Sequence, residues 1–65
     1  MTRETLEKLP ANIRTALERL KKDYKNEALQ TDEVRKEIYG YTNALRDGGI
    51  ITERQRQLLY CYCTL

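Results

Sequence analysis

Two thiols, Cys61 and Cys63, are the strongest nucleophiles in this chain, and they stand two positions apart. Successive helical residues turn by about 100°, so on a helix the two sulfurs point about 160° away from each other. That divergence excludes a disulfide between them and makes a shared metal a poor fit. Histidine is absent, so a zinc site lacks its usual remaining ligands and a thiolate lacks its commonest general base. Serine is absent as well. Carboxylates are plentiful but fall on faces expected to be exposed, where they keep an ordinary pKa. The glycines are Gly40, Gly48 and Gly49, and none is followed by lysine and threonine at the spacing of a phosphate-binding loop. A calcium loop with Gly49 at its bend would place Ala44 and Gln55 where carboxylates belong. These residues assign no catalytic, metal-binding or cofactor-binding site. The expected chemistry is non-covalent and non-enzymatic, with the thiols buried; an intermolecular disulfide or a redox role is the alternative for them.

Two kinds of binding chemistry remain. After the helix-start residue Thr52 come Arg54, Gln55 and Arg56, whose side-chain types read base edges in a major groove. In a helix-turn-helix over residues 32–60 they would be the base contacts, with Arg14, Lys21 and Lys25 on phosphates. The turn from Asp47 to Ile51 is longer than such motifs usually carry. The run Ile51, Thr52, Glu53, Arg54, Gln55, Arg56, Gln57, Leu58, Leu59 resembles the opening helix of the DNA-binding domain in LuxR-type transcription regulators. In that family a turn and a recognition helix follow, and Tyr60 to Leu65 do not supply them, so the resemblance implies a helix start and no further fold.

From Ala11 to Lys25 five basic residues face two acidic ones, an excess that suits contact with phosphates. The alternative is a solvated helix face, because Glu18 stands four residues from both Arg14 and Lys22.

The second binding chemistry is apolar. After Gln57 no side chain is charged, and Leu58 to Leu65 are rich in leucine, tyrosine and cysteine. A helix that is apolar all round needs cover all round, which a short chain has difficulty supplying. Leu59, Tyr60 and Cys63 are accordingly the expected partner-binding or homodimer surface. The alternative is a last helix seated between two others, its tyrosine hydroxyls reaching water.

The elements that must position these groups are helices. Thr31 reads as an N-cap, followed by Asp32, Glu33 and Glu37 at the positive end of a helix dipole. Val34, Ile38, Tyr41 and Leu45 then form one stripe at helical spacing. Gly48 is the expected left-handed residue that ends this helix. Thr52 and Gln55 have the spacing of a capping box at the next helix start. Upstream, Ile13, Leu17, Leu20 and Tyr24 share an inward face. Pro10 either opens their helix or kinks a longer one that includes Leu6 and Leu9. Asn26 is a candidate left-handed stop, with Ala28 and Leu29 pinning the loop to the core. Gly40 lies inside a helix, either tolerated there or marking a close helix approach.

The sequence therefore predicts an all-α domain of three helices, near residues 10–25, 32–47 and 53–63, with an extra short helix before them as an option. Sixty-five residues bound this to one domain with a small core. The net charge of +2 neither requires nor forbids nucleic acid. No apolar run approaches the roughly 20 residues of a membrane span, and the N-terminus has no signal-peptide core. The expectation is a cytoplasmic interaction or regulatory module for a protein partner or a second copy of itself, with neither membrane nor small-molecule ligand. DNA binding is the alternative.

Overall fold

Pro10 divides the N-terminal half of the chain into two helices. In a computed structural model, which describes residues 2–26 and 28–65, α1 runs Thr2–Lys8 and α2 runs Ala11–Tyr24. Pro10 sits in extended conformation (φ −55°, ψ 148°) as the N-cap of α2, and its carbonyl accepts the amides of Ile13 and Arg14. It has no N–H to leave unpaired there and its ring suits the approach to a helix, so the chain breaks where a mid-helix proline would have cost hydrogen bonding. α3 (Thr31–Asp47) and α4 (Glu53–Cys63) complete an all-α fold with no strand among the described residues.

α2, α3 and α4 each pack against the other two, and α1 packs chiefly on α4. Their shared core contains Leu6, Leu9, Leu17, Leu20, Val34, Ile38, Leu45, Ile51, Leu59 and Cys63. The stripe in α3 is nearly as its spacing implies, with Val34, Ile38 and Leu45 buried. Tyr41 is only half-buried, whereas Thr42 is fully enclosed. A hydroxyl can be enclosed when it finds an acceptor, and Thr42 Oγ1 donates to the Ile38 carbonyl at 2.8 Å.

Several local expectations change in detail. Thr31 is the first residue of α3, behind an extended Gln30 N-cap with no side-chain hydrogen bond. The left-handed residue is Gly49 (φ +76°), while Gly48 has φ −82°. Gly49 N–H donates to the Arg46 carbonyl at 3.0 Å and Ile50 N–H to that of Leu45 at 2.9 Å. This crossed pair is the Schellman closure, which requires the left-handed residue one place beyond Gly48. Asn26 does not take the left-handed conformation; its Oδ1 accepts the Ala28 amide at 3.0 Å, a side-chain turn that ends α2 differently. Ala28 and Leu29 are exposed, so they do not pin the loop. A Cβ at Gly40 would meet nothing within 4 Å, so no helix approaches closely there.

Candidate interaction surfaces

α4 is fixed first at its N-terminus. The Gln55 amide donates to Thr52 Oγ1 at 3.1 Å, and Gln55 Oε1 accepts the Thr52 amide at 2.8 Å, so the capping box forms. This fixes where α4 begins, and packing against the other helices decides which of its apolar residues face inward. Leu59 and Cys63 are 0% exposed. They belong to the core and cannot contribute to a partner-binding or homodimer surface in this fold, which corrects the sequence expectation for both. The physical reason is that α4 packs against both α2 and α3 and sends Leu59 and Cys63 into the shared core, with Cys63 on Leu17, while α1 lies along the Arg54 and Leu58 side. The Cys63 thiol, 3.6 Å from the Leu17 carbonyl it donates to, has its pKa pushed up by burial to about 11. Cys61 is exposed, so the two thiols occupy opposite environments. Among the described residues no three metal-binding side chains come together.

Tyr60 alone of the three stays accessible, half-buried on the seam between α3 and α4. Its ring meets Tyr39 edge to face, with centroids 5.9 Å apart and planes at 88°. Tyr39 remains 52% exposed. The Arg56 guanidinium lies 5.3 Å from the Tyr39 ring centroid, within cation–π range. Arg56 also donates through Nε and Nη2 to the two oxygens of Glu53, at 2.9 and 2.8 Å. Arg46 and Gln57 donate to the same carboxylate, at 2.6 and 2.9 Å. Donors from Arg56, then Arg46, then Gln57 hold Glu53 well below the usual carboxylate range. Tyr39 was not among the residues singled out from sequence; its signal was an aromatic ring one position off the α3 stripe.

The base-reading trio is dispersed by these interactions. Gln55 is engaged in the capping box, and the Arg56 side chain, 11% exposed, is bound to Glu53. Arg54 is exposed and lines a groove of about 270 Å³ between α1 and α4, whose wall includes Lys8, Leu9, Ile51 and Leu58. A major-groove reader on α4 would thus have one free side chain of its three.

The phosphate-contact trio fares differently. Lys21 Nζ donates to the Tyr62 carbonyl at 2.8 Å and lies 4.1 Å from the Tyr62 ring centroid, so it closes the C-terminal end of α4. Arg14 is half-buried and donates to the Glu7 carbonyl at 3.4 Å. Lys25 is exposed and has no ion pair or hydrogen bond from its side chain among the described residues. Arg19 and Lys22, on the same helix, are equally unpaired and exposed. The ion pairs that the spacing of Glu18 suggested with Arg14 and Lys22 do not form. Glu18 instead accepts the Tyr62 hydroxyl at 2.8 Å, and that bond, with burial second, raises the Tyr62 pKa. No helix of the described residues is long and apolar enough to cross a membrane. Comparison with protein-family models, with curated proteins and with solved structures finds no significant match to this chain.

Proposed function

We propose that this chain is a non-enzymatic interaction module that receives a folded protein partner on the tyrosine–arginine seam of α3 and α4. The observation that carries the reading is Tyr39, a large ring left half in water while Tyr60 and Arg56 hold it in place. Tyrosine and arginine dominate the energetic centres of protein interfaces, and a ring that is already positioned loses little side-chain entropy on docking. Glu53 and Asp47 together compensate Arg46 and Arg56, so the seam offers planar aromatic and amide groups with little net charge. Such a surface suits a near-neutral protein face more than a strongly charged ligand.

The test places a photoreactive phenylalanine analogue at position 39, and separately at the exposed Asn12 of α2, outside the seam, in the source cell. The reading expects one dominant cross-linked protein from position 39, lost on Tyr60→Ala and absent from position 12. Indistinguishable cross-links from the two positions would overturn it. Sedimentation of the purified chain at micromolar concentration shows whether that protein is a second copy.

A further inference from the structure

We propose that the outer face of α2 binds the phosphate backbone of a nucleic-acid duplex, without reading its sequence. This surface is separate from the tyrosine seam and does not depend on it. Arg19, Lys22 and Lys25 are exposed and carry no carboxylate partner among the described residues, and Arg14 and Lys21 meet backbone carbonyls and, for Lys21, the Tyr62 ring, none of which carries a countercharge. Arg19, Lys21, Lys22 and Lys25 line one shallow depression of about 540 Å³ together with Glu18. The single carboxylate in it is hydrogen-bonded by Tyr62 and is outnumbered.

Geometry and composition select the class of polyanion. From Arg14 to Lys25 is eleven helical steps, about 16 Å at 1.5 Å per residue. A duplex presents one phosphate charge per about 1.7 Å of axis, so a row of this length meets several. The face carries no large apolar side chain around Ala11, Thr15, Glu18 and Lys22, so it has nothing to insert into a lipid headgroup layer. The one ring beside it, Tyr62, is taken up by Lys21 over its face and by its hydroxyl bond to Glu18, so the face lacks the row of free rings on which unpaired bases stack. A duplex, with its bases enclosed and its phosphates outward, asks only for the cations present. With Gln55 held in the capping box and Arg56 bound to Glu53, α4 keeps only Arg54 of its three candidate base readers, too few to set a sequence preference.

Fluorescence anisotropy with a labelled 20-base-pair DNA duplex tests this, with the single strand, an unrelated duplex sequence, phosphatidylserine vesicles and polyglutamate as parallel probes. At low salt the duplex should bind, and log affinity should fall against log salt with a slope near −3, as expected for about three or four phosphate contacts. The triple variant Arg19→Glu, Lys22→Glu, Lys25→Glu should lower affinity at least about tenfold while circular-dichroism melting stays the same. Arg54→Glu, in the groove between α1 and α4 and outside this depression, should leave binding within about twofold. Equal affinity of the triple variant, no duplex binding at low salt, tighter binding to vesicles, polyglutamate or single strand, or a strong preference between the two duplex sequences would each overturn the proposal. None of these outcomes bears on cross-linking from position 39, so the two surfaces stand or fall separately.

Discussion

The cations of α3 and those of α2 are treated in opposite ways by the same fold. Arg35, Lys36 and Arg46 on α3 each have a carboxylate within 4 Å, from Asp32, Glu33, Asp47 or Glu53. Among the described residues no cation of α2 has one. The difference is not composition alone, since Glu18 is spaced to pair with two of them and is drawn off by Tyr62. On α3 the charge is spent within the molecule and supports local structure; on α2 it is left facing outward. Net charge, taken over the whole chain, conceals this division.

Substitutions should separate the two regions by what they cost. The largest effect is expected at the core beneath the seam: Leu59→Ala should destabilise by about 2–5 kcal/mol, enough to unfold much of so small a protein, by chemical denaturation. A loss under about 1 kcal/mol would mean that α4 is less enclosed than described. Thr52→Ala, which removes one half of the capping box, should cost about 1 kcal/mol. Gly40→Ala should do the reverse and stabilise α3 by about 0.5–1 kcal/mol, because open space surrounds the added methyl. Neutralising Arg19 or Lys22 to alanine should change stability by no more than about 0.5 kcal/mol, as for surface residues without partners. A large loss there would collapse the contrast between the two helices.

The pH dependence sharpens the same contrast, because the shifted groups sit on or beside α4. Glu53 holds its proton less tightly when folded, so its contribution is complete above the ordinary carboxylate pKa near 4.5 and declines as pH falls below it. Glu53→Gln should flatten that acid limb in thermal melts followed by circular dichroism. Cys63 and Tyr62 hold their protons more tightly when folded. Stability should therefore be complete below pH 9 and decline as pH rises from 9 towards 11, the ordinary and folded values for Cys63. Cys63→Ala should remove part of that decline.

Local signals in the sequence were legible because they act over a few residues. The capping box at Thr52 and Gln55 and the glycine closure after α3 depend on neighbours along the chain, and both are found within one position of where spacing puts them. The inward face of α4 was not legible. Periodicity assigns a face only when polar residues mark the opposite side, and after Gln57 no charge does so. What decides the matter is packing against α2 and α3, which are distant in sequence and take Leu59 and Cys63 into the shared core. For the same reason Leu59 and Cys63 passed as a surface while Tyr39, on a helix with a clear stripe, was passed over.

The unequal surroundings of Cys61 and Cys63 give the protein a built-in clock. A thiol reagent at neutral pH meets Cys61 directly but reaches Cys63 only in the moments when the end of α4 lifts away from Leu17. The second labelling rate then measures how often that end detaches, from a single native sample and without any introduced probe.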